Sequence, residues 1–237
     1  MFEPDDDPRL TDEHVRTVTT NDRMVTIVGV VHDHPASIYR VIKTITRRDP
    51  EVVALELPPL AIPLFREYAR DSRTPPALGG EMSAAIQAAN ANQIIGIDGP
   101  SRSFLSLLSR TLAQERASVW TVRGVSEALL VASKSALVSR ILGTMAAITR
   151  VRIEVGDPWT YTVDWTDDPE TQAADERAHL GRARALSASL VPPAAKRIRD
   201  EVREDHMIHR LSRTEGDVVA IVGQDHLDAV ADGLAGP

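Results

Sequence analysis

The sequence predicts an α/β protein whose mixed, largely parallel sheet is flanked by helices, with a helical insertion before the last strand. Three observations predict this fold. Short apolar runs at 24–31, 52–57, 93–98 and 217–222 are typical of strands buried on both faces. Segments with helical spacing separate the first three runs, as in β-α-β units. A long segment with a helical pattern, 101–213, precedes the last run.

The first β-α-β unit shows the pattern most clearly. Residues 24–31 carry no charge and are rich in β-branched side chains, which favours a buried strand. Pro35 suits the first position of a helix, and apolar residues then recur at helical spacing between 38 and 45. Asp49-Pro50 ends this helix, and residues 52–57 form the next strand.

The remaining pattern divides the chain into two parts. We expect residues 1–22, which are polar and charged, to form a mobile or loosely docked N-terminal arm. Residues 23–237 are long enough for one α/β domain, of which 101–213 is mostly a helical insertion. A helix over 81–90 feeds the third strand, and a short helix follows the last one.

Composition excludes several classes of function. The chain has no cysteine, so disulfides, zinc ribbons and thiol nucleophiles are excluded. A formal charge of −7 opposes binding to nucleic acid and to anionic membranes. The most apolar stretch, 125–148, is interrupted by Glu127, Lys134 and Arg140, so no membrane span is expected. The acidic N-terminus does not resemble a signal peptide, and we expect a cytoplasmic protein.

Two strands end in the same motif. Ile27-Val28-Gly29-Val30-Val31-His32 and Ile221-Val222-Gly223-Gln224-Asp225-His226 both match Ile-Val-Gly-x-x-His. Ligand sites of open α/β sheets lie beyond the carboxyl ends of strands, where a glycine lets the backbone approach a ligand. We therefore expect His32 and His226 to meet at one sheet edge. Two imidazoles with a carboxylate form a common open metal site.

Carboxylates stand at matching places in the predicted topology. Glu56 ends the second strand, Glu81 begins the helix before the third strand, and Asp98 ends that strand. A charged group that ends a buried run must be paired, metal-bound or exposed at the sheet end. The alternative is that each acid is a helix cap or faces solvent.

These residues resemble the TraB/PrgY-like family of the wider Tiki, GumN and erythromycin-esterase superfamily. The resemblance spans about 24–234 and is carried by the segments Gly29 to His32, Asp49 to Leu57, Gly80 to Ala85, Ile94 to Asp98, Arg203 to Leu211 and Val218 to His226. It implies a mixed α/β fold and a metal-dependent, hydrolase-like site. Some relatives are proposed metalloproteases, and TraB and PrgY are linked to reduced peptide-pheromone activity.

Two departures from the family pattern concern arginine. The family has Asp-Arg after the third strand, where this chain has Asp98-Gly99. It also has Glu-Arg-Asp before the last strand, where this chain has Arg203-Glu204-Asp205. An arginine that clamps a substrate carboxylate or stabilises an oxyanion is therefore expected to be displaced or absent.

The site hypothesis assigns roles as follows. His32, His226 and Glu56 hold a divalent metal ion such as Mn, Co or Zn, and the catalytic residues are Glu56, Glu81 and Arg203. Gly29, Gly223 and Asp98 contact the substrate, which is a peptide or a small peptide-like molecule. The alternative function is a protein of the same fold that binds or sequesters such a ligand without turning it over.

One helical segment predicts self-association. Apolar residues cover a wide arc of the segment: Val125, Leu129, Leu130, Val131, Leu137, Val138, Ile141, Leu142, Met145 and Ile148. Such a helix is either central to the core or lies in a subunit interface. Since family members are often membrane-associated and no span is expected in this chain, we predict a homodimer.

Overall fold

The protein is organised around a five-stranded sheet. A computed structural model describes residues 7–20, 22–91, 93–149, 161–189 and 193–236. The strands have the spatial order β1-β2-β5-β3-β4, where only β1 runs antiparallel to its neighbour. Their bounds are β1 Val15–Thr20, β2 Arg23–Val30, β3 Val52–Leu55, β4 Gln93–Gly96 and β5 Val218–Gly223. The predicted mixed, largely parallel sheet is confirmed.

In the described part of the chain, eight α-helices flank the sheet. Four of them stand between β4 and β5, so the helical insertion is confirmed. The helices are α1 Pro35–Arg48, α2 Ile62–Ala69, α3 Gly80–Ala88, α4 Arg102–Gln114, α5 Val119–Thr149, α6 Pro169–Ser189, α7 Ala194–Ser212 and α8 Leu227–Ala235. A 3-10 turn, Gln224–His226, joins β5 to α8.

The last strand of the chain is central in the sheet. β5 lies between β2 and β3 and is parallel to both, with Ile221 opposite Val28 on one side and Leu55 on the other. The sheet is covered on both faces, with α1, α2 and α3 on one and α7 and α8 on the other. Burial on both faces explains why these strands are continuous apolar runs rather than alternating ones.

The N-terminal segment differs from the expected loosely docked arm. Val15–Thr20 forms an edge strand on β2, and the preceding His14 is buried against the body of the protein. Five of the six strand residues are β-branched, which favours an extended conformation despite the polar composition. Residues 1–6 and 21 lie outside the described part of the chain.

A buried ion pair fastens the insertion to the sheet. Arg40 of α1 is 1% exposed and forms a bidentate ion pair with Glu176 of α6. Burial raises the pKa of Glu176, but the Arg40 charge and hydrogen bonds outweigh it and hold this pKa below its ordinary value. Arg40 also donates to the backbone oxygens of Gly29 and Arg9. One guanidinium thus joins β2, α1, α6 and the N-terminal segment.

Helix α5 is not the buried core helix that was one of the two predicted alternatives. Leu130, Val131, Leu137 and Ile148 are all more than half exposed. Among the described residues, α5 is also the helix whose length and apolar composition are compatible with crossing a membrane. Apart from Val125, the buried residues of α5 have small side chains.

We expect Arg40→Met to destabilise the protein by about 3 to 5 kcal/mol, because Glu176 would remain buried without its partner. The free energy of unfolding in urea measures this effect. The control is Arg184→Met, which breaks the exposed Arg184–Glu13 pair and should change stability by less than about 0.5 kcal/mol. Equal effects of the two substitutions would contradict the role given to Arg40.

Candidate functional site

The carboxyl ends of β2, β5 and β3 bring the predicted residues to one sheet edge. A Cβ atom placed on Gly223 would lie 3.8 Å from His32 Nε2, 3.8 Å from His226 Cδ2 and 3.5 Å from Glu56 Oε2. The two imidazoles and the carboxylate therefore surround one point beside Gly223. The adjacency of the strands accounts for this, since both histidine turns leave the sheet at the same edge.

The first histidine turn is held by helix α3. Gly80 has a φ of +48°, and a Cβ at this position would overlap the Asp33 carboxylate. Only glycine therefore allows the start of α3 to approach the turn this closely. The next residue, Glu81, places one oxygen 2.6 Å from His32 Nδ1 and accepts the Asp33 N–H with the other at 2.9 Å.

The Glu81 contact sets the charge and orientation of His32. Glu81 is almost fully buried, whereas the His32 side chain is 48% exposed. The hydrogen bond from Nδ1 to Glu81 raises the pKa of His32 to about 9. His32 is therefore an imidazolium at neutral pH, with Nε2 beside Gly223 and Nδ1 fixed by a carboxylate.

The second histidine turn has a parallel arrangement. His226 Nδ1 lies 2.7 Å from Glu204 Oε1, and its Nε2 lies 3.3 Å from Arg203 Nη1. A guanidinium only donates hydrogen bonds and a carboxylate only accepts them, so these two partners match the ring tautomer that carries its proton on Nδ1. Arg203 and Glu204 are consecutive residues of α7, so this helix holds both sides of the ring.

Glu56 joins the strand ends to α7. Its Oε1 accepts from Arg203 Nη2 at 2.5 Å, and its Oε2 accepts from the Gly223 N–H at 2.5 Å. The carboxylate is almost fully buried, and these two bonds compensate its loss of hydration. Glu56 thus fixes Arg203 relative to the turn that carries His226.

Arg203 occupies the centre of the site. Its Nε and Nη2 donate to the Asp98 carboxylate, with the shortest contact at 2.9 Å. Burial lowers the pKa of Arg203, but Asp98 and Glu56 raise it above its ordinary value. With Glu56 and His226, these contacts use four of the five guanidinium N–H groups. An arginine is therefore present at the site, displaced by one position from the family pattern, and within the described residues the second N–H of Nη1 has no hydrogen-bond partner.

An open cavity of about 310 Å³ lies over these residues. His32, Glu56, Arg203, Gly223 and His226 are among its lining residues. Tyr161 and His179 form part of the opposite wall. The Tyr161 hydroxyl donates to the His32 backbone oxygen at 2.5 Å, so the insertion contributes directly to the cavity.

Three predicted residues do not line this cavity. Gly29 packs against Gln224 and Leu227, and a Cβ at this position would overlap the Gln224 side chain. The glycine therefore allows close packing here, rather than the predicted contact with substrate. Asp98 holds Arg203, and Glu81 holds His32. Each of these two acids therefore acts by positioning another side chain.

Sequence reasoning missed Glu204 and Tyr161 as site residues. Glu204 belongs to the altered arginine motif, but the motif itself gives it no role. Nothing in the sequence around Tyr161 marks this tyrosine as a site residue. Tyr161 contacts His32 although the two residues are 129 positions apart in the sequence. Contacts over such separations depend on packing of the insertion, for which a single sequence has no local signal.

The groups predicted to hold a divalent metal ion are engaged by Arg203 and by the Gly223 N–H in this arrangement. Arg203 engages the His226 Nε2 lone pair, and both Glu56 oxygens already accept hydrogen bonds. A metal at His226 would stand beside a fixed guanidinium, and the two positive charges repel at that distance. Among the described residues, no group of three or more His, Asp or Glu is placed to hold a metal ion.

We expect the His32 imidazole to titrate near pH 9 and to return towards its ordinary value of 6.5 in Glu81→Gln. Since the folded-state pKa is raised, the pair stabilises the fold fully below pH 6.5, and this contribution is lost as the pH rises through 9. NMR titration of the ring resonances measures the pKa. A wild-type value near 6.5 would contradict the Glu81 contact.

Comparisons with known proteins identify no family for this chain. No family model matches it, and no curated protein matches it. Among solved structures, it is similar to a mutant erythromycin esterase in its open conformation, with 14% sequence identity and a TM-score of 0.30. The match covers 82% of this chain and 60% of the esterase, so the chain spans less than two thirds of that enzyme's length.

Proposed function

We propose that this protein is a hydrolase that cleaves an ester or amide bond of a peptide or a small peptide-like molecule. The observation that carries the proposal is the Glu81–His32 pair, whose second ring nitrogen stands at the cavity beside Gly223. A buried carboxylate that orients a half-exposed imidazole is the arrangement of a general base and its positioning group. Membership of the TraB/PrgY-like family, which the sequence motifs predict, is part of the same proposal.

The proposed reaction uses two groups of this chain, His32 and Arg203. The neutral form of His32 takes a proton from water at Nε2 while the water oxygen attacks the carbonyl carbon. The available Nη1–H of Arg203 donates to the carbonyl oxygen as negative charge develops there. The C–O or C–N bond then breaks, and His32 returns the proton to the leaving alcohol or amine. The products are a carboxylic acid and that alcohol or amine.

The cavity suits a short segment of substrate. Its volume of about 310 Å³ is at the lower end of the range for small-molecule sites, and it is open to solvent. The N–H donors of Arg203 and His32 suit an acidic group, such as the terminal carboxylate of a peptide. Their charges are already offset, since Glu56 and Asp98 pair with Arg203 and Glu81 pairs with His32, so recognition would depend on directed hydrogen bonds.

The raised pKa of His32 also supports a second candidate function, which is binding of an anionic ligand without turnover. Protonated His32 is a poor base but a good partner for a carboxylate. The two candidates predict opposite responses to pH. Hydrolysis should accelerate as the pH approaches 9, because the neutral form of His32 increases, whereas binding of a carboxylate should weaken over the same interval.

We expect His32→Ala to lower kcat by about 100-fold or more on p-nitrophenyl esters or fluorogenic peptides. Glu81→Gln should instead shift the rise of activity with pH from near 9 towards 6.5, because it lowers the pKa of the base. His209→Ala is the matched control, since His209 is an exposed histidine of α7 outside the cavity, and its rate should equal wild type. Unchanged hydrolysis in His32→Ala would exclude the proposed base. Binding of a carboxylate-bearing peptide with no hydrolysis at any pH would favour the second candidate.

A metal-dependent version of the hydrolase, with Mn, Co or Zn on His32, His226 and Glu56, is supported by a different feature. Both imidazoles have one nitrogen on a carboxylate, Glu81 or Glu204, as metal-bound histidines commonly do. This version requires Arg203 to leave His226, because the guanidinium now engages the lone pair that a metal would use.

Elemental analysis decides between the two versions. We expect protein purified without chelator to carry the same low metal content as His32→Ala/His226→Ala, and chelator treatment to leave hydrolysis unchanged. One equivalent of metal in the wild type that is lost in the double variant would establish the metal-dependent version instead.

A further inference from the structure

Helix α5 packs on the protein with its small residues. Ala136, Ser139, Gly143 and Ala146 are the buried positions in its second half, and they recur at helical spacing along one side. A Cβ on Gly143 would lie 2.6 Å from the backbone nitrogen of Leu64, so α5 and α2 are in backbone contact there. Large apolar side chains are left for the other side of the helix.

The outer side carries a seven-residue repeat. Val131, Val138 and Met145 are seven residues apart, and Lys134, Ile141 and Ile148 form a second series offset by three. This is the a/d pattern by which helices pair in coiled coils. The apolar side chains of the two series are exposed, as are those of the adjacent Leu130 and Leu137, with exposed fractions between 46% and 79%. The described part of the chain therefore presents a helix-pairing seam with no partner on it.

We propose that this seam pairs two copies of the chain, with the two α5 helices antiparallel about a two-fold axis between residues 139 and 140. In an antiparallel pair, a positions face d positions of the other helix. The seam is self-complementary about this axis, as a two-fold interface requires. Val131 faces Ile148, Lys134 faces Met145, and Val138 faces Ile141.

The exposed area is close to what a specific dimer needs. A fully exposed aliphatic side chain offers roughly 100 Å² of apolar surface, judged from its transfer free energy. The seven apolar side chains on each of two copies therefore bury on the order of 800 Å². The stem of Lys134 and neighbouring polar groups bring the total towards the roughly 1,000 Å² of a biological interface.

Charges on α5 favour a protein partner over a lipid one. Lys134 and Arg140 lie in the middle of the apolar stretch and are exposed. In the centre of a bilayer each would cost about 2.5 to 3.5 kcal/mol or more. At the edge of a helix pair, the ammonium group of Lys134 reaches water while its stem covers Met145 of the other copy.

Light scattering of the full chain at micromolar concentration tests the pairing. We expect twice the chain mass of 25.9 kDa for the wild type and for Leu105→Glu, which places a charge on an exposed apolar residue of α4. Ile141→Glu should give the monomer mass with an unchanged circular dichroism spectrum. A monomeric wild type would overturn the proposal, and so would an Ile141→Glu variant that stays dimeric. Flotation of a monomeric wild type with vesicles of phosphatidylcholine and phosphatidylglycerol would show that α5 binds lipid instead.

Cysteine cross-linking tests the orientation against a clean background, since the chain has no cysteine of its own. The double variant Val138→Cys/Ile141→Cys should form a disulfide-linked dimer under mild oxidation. In the proposed pair, the thiol at 138 of one copy faces the thiol at 141 of the other. Val131→Cys alone should not, since it faces Ile148 of the other copy. Efficient cross-linking of Val131→Cys would show a parallel pair and contradict the proposed geometry.

Discussion

The contact between the Glu56 carboxylate and the Arg203 guanidinium is the interaction on which the site depends. Glu56 leaves the sheet at the end of β3, where burial requires both of its oxygens to be compensated. One oxygen binds Arg203 of α7, and the other binds the backbone of Gly223 at the end of β5. Glu56 therefore couples the position of α7 to the path of the second histidine turn. If either one shifted, the Glu56 carboxylate would be left buried without a hydrogen-bond partner.

This coupling also determines which chemistry the sheet edge favours. A guanidinium held by two carboxylates cannot easily move, because its departure would leave Glu56 and Asp98 as two buried like charges. The site accordingly presents two fixed donor groups, Arg203 and His32, with Glu56 beside them in the cavity wall, while Asp98 and Glu81 hold them from outside the cavity. A substrate meets cations whose positions are already set, which is the condition for electrostatic stabilisation without reorganisation.

The fold and the convergence of the two turns were predictable from sequence because both depend on local patterns. Apolar runs locate parallel strands, and a repeated Gly-x-x-His locates their ends. The residues that contact the two histidines were less predictable, since Glu204 and Tyr161 reach His226 and His32 only through packing of the insertion. The edge strand Val15–Thr20 was missed because a polar composition masked its β-branched residues. The sequence left the position of α5 open between a core and an interface, because an apolar helix has the same composition in both.

The position of β5 has a consequence for how the protein folds. Its pairing of Ile221 with Val28 joins residues near opposite ends of the chain, and its pairing with Leu55 is almost as distant. Contacts of such sequence separation close large loops and slow folding. During synthesis, β2 and β3 emerge long before the strand that belongs between them. Until β5 is synthesised and inserted, the facing edges of β2 and β3 have no strand partner, and the nascent chain is prone to aggregate through them.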